Sequence, residues 1–315
     1  FTLHHVKPRS SNLFQPNRIL EIQPDFLRLV VRRVRRAGYE FIPIGQVAER
    51  LANPTRRPFA VLTFDDGYRD NLQFAYPVLK EMECPFTIYV ATGMPDGTAE
   101  LWWRVIEAVI NKTDELNFVI DGQPQQVASE TRDEKYSAYE RVYWWLRHRP
   151  DKERRAFIRE LAVRYRVDIS AITELAALSW DEIQVLDRDA IVTIGAHTVS
   201  HPNLCRLDPR AARAEMANSV DILSSYLEKA PRHFAYPFGD PTSAGQREFD
   251  IAADVGFETA VTTRPGVLYQ EHVDHMTALP RISLNGEFQA IRYLDALLSG
   301  VPSLVFNKGR KLNVA

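Results

Sequence analysis

Two periodicities alternate along the chain. Short runs of apolar, β-branched and aromatic residues, "FTLHHV" (1 to 6), "PFAVLTF" (58 to 64) and "PFTIYVAT" (85 to 92), are separated by stretches with helical spacing near 24 to 37 and 70 to 83. The rhythm returns with "AIVTIGAH" (190 to 197), "HFAYPFG" (233 to 239), "FETAVTT" (257 to 263) and "LPRISL" (279 to 284), and with helices expected near 209 to 229, 244 to 255 and 287 to 299. This alternation predicts βαβ units and a parallel sheet, either a barrel or a doubly wound sheet. Residues from about 100 to 185 break it. They are rich in Arg, Glu and Tyr, contain "ELWWRVIEAVI" and "YERVYWWLRHRPDKERRAFIRELAVRY", and predict several helices with one short extended piece, "LNFVIDG". Their flanks carry no Pro/Gly/Ser linker, so the expectation is a single domain over 1 to 315 with a helical insertion on a loop.

Composition narrows the class without naming it. With 315 residues, 45% hydrophobic and 25% charged, the chain is long enough to bury a large core. A net charge of -2 gives no global basic field for nucleic acid or anionic lipid. Arg32, Arg33, Arg35 and Arg36, beside Leu27, Leu29, Val30, Val31 and Val34, read as the solvated face of an amphipathic helix. Cys84 and Cys205 are too few for a disulfide framework and outside any C-x-x-C pattern, so both are expected to be small buried hydrophobes. No run approaches the roughly 20 apolar residues of a membrane span. The lack of a visible signal peptide leans toward the cytoplasm, while a first residue of Phe rather than Met leaves secretion or a periplasmic location open.

The chemistry begins at "VLTFDDGY" (61 to 68), where a strand ends in two adjacent carboxylates. Like charges side by side need a cation, a shared proton or solvent; the same residues also suit a plain strand-ending turn. In parallel α/β folds reactive groups collect at the carboxyl ends of strands. His197 stands at such an end, and His201 follows in "HTVSH" at a spacing expected to set both imidazoles on one side of a helical turn. One carboxylate and two histidines make the three protein ligands of an open catalytic zinc-type site. The second aspartate is then free to take a proton.

"TFDDG" (63 to 67) followed by "HTVSH" (197 to 201) resembles the polysaccharide deacetylase family. That resemblance implies a distorted (β/α)7 barrel with the helical insertion, Asp65 as general base, and Asp66, His197 and His201 as ligands of a divalent metal, zinc first, then cobalt, nickel or manganese. The third motif is "FAYPFG" (234 to 239): Pro237, Phe238 and Gly239 match, but Ala235 stands where many members have an arginine. In relatives with rearranged motifs an N-terminal histidine and a late "LPR" arginine fill the gaps. By that likeness His4, as imidazolium, is the proton donor and Arg281 orients the base. Consecutive strand residues face opposite sides, so only one of His4 and His5 faces the barrel mouth.

The implied reaction is hydrolysis of an N-acetyl group on an amino-sugar polymer or oligosaccharide, with the Phe238 N–H holding the oxyanion. Tyr236, Pro237 and Phe238 are either substrate contacts or core. Trp102 and Trp103 either stack on sugar rings or fill a helix core. His148, His233, His272 and His275 lack a partner motif and read as surface or structural. Two alternatives stay open: a C–N hydrolase of a non-sugar linear or cyclic amide, and a non-catalytic carbohydrate-binding protein. The insertion offers a homodimer surface or a substrate rim.

Overall fold

The computed structural model of the chain describes residues 1–53 and 57–314. Seven parallel strands, Thr2–Leu3, Leu62–Phe64, Phe86–Val90, Val192–Ala196, His233–Ala235, Thr259–Pro265 and Leu279–Arg281, lie side by side in chain order. The last meets the first: Thr2 N donates to Ile282 O at 2.9 Å and Leu284 N to Thr2 O at 3.1 Å. The sheet is therefore nearly closed into a (β/α)7 barrel. Because every strand runs the same way, the residues following Phe64, Ala196 and Ala235, and Arg281 itself, gather on one rim.

The barrel strands are short and buried along their length, as in Leu62–Phe64 and Phe86–Val90, so burial on both faces holds them in place. The helix Pro24–Arg36 packs Phe26, Leu27, Val30, Val31 and Val34 inward and leaves its arginines outside, with Arg33 Nε 2.6 Å from Asp295. Close approach between strands rests on Gly195. A Cβ there would lie 2.5 Å from the Tyr89 ring and 2.9 Å from His233 O.

Three elements differ from the sequence expectation. "FTLHHV" is not one strand: it breaks at His4, and His5–Val6 pairs instead with Glu21–Ile22. "PFAVLTF" likewise splits, Phe59–Ala60 pairing with Glu40–Phe41 before the barrel strand begins. In the insertion, "LNFVIDG" is one arm of a hairpin, Glu115–Ile120 against Gln123–Ala128, turning through Asp121 and Gly122 at φ 50° and 76°. Asp-Gly is a strong signal for such a turn, masked here by a second arm, "QPQQVA", that is polar and contains Pro124.

Around the hairpin stand the helices Trp102–Lys112, Arg132–Arg147, Asp151–Tyr165, Ile169–Ala176 and Trp180–Asp187. Their apolar core includes Val105, Ile106, Val142, Leu146 and Leu161, and it continues into the barrel top through Tyr68, Ala91 and Met94. Of the cysteines, Cys84 is buried as expected, but Cys205 is only partly buried and sits 3.1 Å from Glu248 Oε2. No described helix is long and apolar enough to cross a membrane.

Gly195→Ala should destabilise the barrel by about 1–3 kcal/mol, because neither an aromatic ring nor a neighbouring strand's carbonyl can yield cheaply. A denaturation midpoint equal to that of the parent chain would contradict this packing.

Candidate active site

Asp66, His197 and His201 meet on the rim. Asp66 Oδ1 lies 3.2 Å from His197 Nε2 and 3.2 Å from His201 Nε2, and all three side chains are buried. His197 Nδ1 is 2.6 Å from Ala235 O, a carbonyl that only accepts, so Nδ1 carries a hydrogen and Nε2 is the nitrogen turned to the carboxylate. Despite both short approaches, Asp66 Oδ1 makes no hydrogen bond of good geometry, and His201 Nδ1 also lacks a partner. A buried carboxylate oxygen faced by two imidazole nitrogens without a hydrogen bond is what a cation would complete. The donor set of one carboxylate oxygen and two imidazole nitrogens fits a divalent metal with open coordination positions.

The local backbone explains why the sequence spacing works differently from expectation. Residues 197 to 201 form a loop, not a helical turn; Thr198 and His201 adopt left-handed φ of 66° and 54°. Glu215 holds that loop by accepting from Val199 N at 3.0 Å, Ser200 N at 2.9 Å and Ser200 Oγ at 2.8 Å. Asp66 and Phe238 also have positive φ, 74° and 64°. Four of the eight non-glycine residues with positive φ among the described residues thus sit in this one site, where strain of about 1–3 kcal/mol each persists only if the surroundings enforce it.

Asp65 is held separately. Arg281 Nη1 donates to Asp65 Oδ1 at 2.7 Å and Nη2 to Oδ2 at 2.6 Å, a two-pronged pair in which both residues are buried. Arg281 Nε donates to Thr262 O at 2.7 Å, and Nη1 also reaches Thr63 Oγ1 at 2.9 Å. The Thr262 carbonyl is available because the ladder between Thr259–Pro265 and Leu279–Arg281 shifts register between Val261 and Pro265. Burial pushes the Asp65 carboxyl up, yet the Arg281 charge and hydrogen bonds outweigh it and keep the carboxyl below the usual range.

His4 lies at the strand break, within the field of both aspartates, while His5 turns away to place Nδ1 2.6 Å from Asp70 and its ring 3.7 Å from that of Tyr68. Asn71 Nδ2 donates to His4 O at 2.8 Å and Asp70 Oδ1 accepts from Val6 N at 3.2 Å, so "DN" at 70 and 71 fixes the break. Burial lowers the His4 pKa more than Asp66 and Asp65 raise it. The resting imidazole therefore favours its neutral form.

The remaining expected site residues divide. Phe238 sets its ring 4.9 Å from that of His201. Pro237 is buried, and its carbonyl accepts from Gly239 N at 2.7 Å. Tyr236 is not brought to the site: it is fully buried against Phe234 and Phe249, and its hydroxyl donates to Thr277 O at 2.8 Å. Trp102 and Trp103 are 3% and 6% exposed, so neither offers a face to a sugar. Trp103 instead lies 5.2 Å from the His201 ring and donates through Nε1 to the Tyr68 hydroxyl at 3.2 Å. Sequence reasoning missed Arg147, whose guanidinium carbon lies 3.7 Å from the Phe238 ring centre while the same group bonds Asp240. Nothing in "WWLRHR" distinguishes it from the surface arginines of the same helix.

This fold with a buried Asp-His-His cluster on its rim delimits the class. The sequence profile of the family described as polysaccharide deacetylase matches residues 52–260, more than half of the chain, and the chain belongs to that family. Among curated proteins no significant match was found. Similar solved structures include the Streptococcus pyogenes deacetylase PplD in complex with acetate, with 19% identity over 95% of each chain and a TM-score of 0.60. BC0361, a polysaccharide deacetylase from Bacillus cereus, is 15% identical over 94% of this chain and 67% of its own, with a TM-score of 0.57. A de-N-acetylase from Aggregatibacter actinomycetemcomitans is 13% identical over 93% and 97%, with a TM-score of 0.55. These likenesses bear out the fold.

Arg281→Met should cost about 3–5 kcal/mol, since it leaves the buried Asp65 charge without its partner. The depressed carboxyl makes this contribution complete at neutral pH and lost as pH falls below the ordinary aspartate range, so the two proteins should converge in strong acid; a loss under 1 kcal/mol at pH 7 would refute the pairing energy.

Asp66 raises the His197 pKa above 6.5 against the opposing effect of burial, so a metal must displace a proton from Nε2. Affinity for Zn²⁺ measured by titration calorimetry should rise from pH 6 to 8, with proton release that shrinks as pH rises. A flat pH profile would count against His197 as a ligand.

Proposed function

We propose that the chain is a metal-dependent hydrolase that removes N-acetyl groups from an amino-sugar polymer or oligosaccharide. The observation that carries this reading is the buried Asp66, His197, His201 cluster with its unpartnered Oδ1, set beside a second carboxylate that is held apart by its own arginine. The acetate in the PplD structure is the expected product of such a reaction and agrees with it.

Asp66, His197 and His201 would hold the divalent cation, zinc in the first place. When bound, such an ion polarises the acetyl carbonyl and lowers the pKa of a water from 15.7 towards about 7. Asp65 takes one proton from the attacking water, its carboxylate kept ionised and aimed by Arg281. A carboxyl held this low keeps a proton only briefly. Neutral His4, within the field of the same aspartate, accepts it and passes it to the sugar nitrogen as the C–N bond breaks. The water oxygen and its other hydrogen end in acetic acid, and the transferred proton ends on the amine. The Phe238 N–H, presented by a left-handed residue beside His201, holds the developing oxyanion; one such donor contributes about 3–4 kcal/mol.

Purified protein should release acetate from N-acetylglucosamine oligomers, lose that activity to a chelator, and regain it with Zn²⁺, Co²⁺, Ni²⁺ or Mn²⁺. Asp65→Asn should lower kcat by about 10²–10⁴-fold with bound metal unchanged by elemental analysis. His4→Ala should be slowed far more than His5→Ala. Turnover of small linear or cyclic amides without acetate release would replace this reading by the non-sugar one.

A further inference from the structure

Of the five tryptophans, Trp144 alone is exposed, at 57%. It lies on the helix Arg132–Arg147, three residues before Arg147, and residues at that spacing are neighbours on the helix surface. Arg147 reaches over the Phe238 ring at 3.7 Å, and Phe238 touches His201 at 4.9 Å. On the other side, Tyr143 stacks on buried Trp102 with ring centres 5.0 Å apart. Tyr143 and Arg147 together fix which face of the helix turns inward. Trp144 emerges at the edge of that face, beside Tyr143, which lies within the field of Asp66.

The indole is braced, not laid flat on the protein. Tyr143 meets it edge-on at 5.4 Å and 90°, and the His148 ring lies 6.4 Å away, tied by Nδ1–H donating to Trp144 O at 2.7 Å. The barrel loop that anchors Arg147 carries Asp240, the exposed Thr242 and the buried Ser243. An aromatic face with negative π density attracts the polarised C–H groups on the flat side of a pyranose.

We propose that Trp144 is a stacking platform for a pyranose unit of a polymeric substrate, beyond the unit that carries the scissile acetyl group, so that it selects chains over monosaccharides. This rests on the deacetylase reading above. The platform is assigned to a unit other than the reacting one, because the rings that lie against His201 are those of Phe238 and Trp103, not Trp144.

The test compares kcat/KM for a hexamer of N-acetylglucosamine with that for the monomer, by acetate release, in the parent, Trp144→Ala, Trp144→Tyr and the control Val163→Ala, another exposed apolar position on the insertion at 80%. Trp144→Ala should reduce the hexamer-to-monomer ratio at least tenfold, mainly through KM; Trp144→Tyr should restore most of it, and Val163→Ala should leave it unchanged. An unchanged ratio in Trp144→Ala, alone or together with loss of a concentration-dependent dimer by light scattering, overturns the proposal and in the second case makes the ring a subunit contact. If the parent releases no acetate from either substrate, the deacetylase reading has failed; hexamer binding by calorimetry, weakened in Trp144→Ala and kept in Trp144→Tyr, then decides for or against the platform on its own.

Discussion

Three buried donor atoms, Asp66 Oδ1 and the Nε2 atoms of His197 and His201, are turned to one small volume, and the imidazole of His197 has its other nitrogen committed to Ala235 O. Two lone-pair-bearing groups at 3.2 Å repel unless something positive lies between them. Burial lowers the pKa of both imidazoles; at His197 the two aspartates outweigh it and raise the pKa, whereas at His201 burial prevails. Both Nε2 atoms face the same carboxylate oxygen at 3.2 Å, so the histidines titrate as one cluster and not independently. Left-handed backbone at Asp66, Thr198 and His201 is the cost of aiming these atoms, and Glu215 with the packed barrel rim offsets it.

The second carboxylate depends on the closure of the barrel. Arg281 stands on the last strand and Asp65 follows the strand beside the first, so their pairing spans the seam where Thr2 bridges to Ile282 and Leu284. The register shift before Pro265 releases the Thr262 carbonyl that aligns the guanidinium. Ala235 offers Asp65 no cation, and the arginine that grips this carboxylate comes from another strand. Physics requires a fixed positive fork at Asp65; it does not prescribe which strand supplies it.

The barrel was legible because its strands are apolar runs separated by helices, and strand ends point to the rim whatever the connecting loops do. The two aspartates and two histidines were legible as residue types at strand ends. Their geometry was not: the i, i+4 spacing of His197 and His201 suggests a helical turn, and only the loop held by Glu215 yields the observed convergence. The exposure of tryptophans was equally hidden, since Trp102, Trp103 and Trp144 all sit in amphipathic sequence, and which of them is covered depends on how the insertion meets the barrel. Tyr236 illustrates the same limit, because the residue before Pro237 points into the core while Phe238, two positions on, points to His201.

That meeting of insertion and barrel also decides how far the site is a property of the barrel. Tyr68, from the loop after Asp66, is fully buried in the insertion's core, and its hydroxyl accepts from Trp103 Nε1. Trp103 lies against His201, and Arg147 lies against Phe238. Two of the strained rim residues, His201 and Phe238, therefore each have an aromatic or cationic neighbour donated from the insertion. A rim left open to water would let Asp66 and the imidazoles be solvated separately, which weakens the electrostatic demand for a cation. By burying that corner the insertion would strengthen the attraction for a cation held there without supplying a ligand.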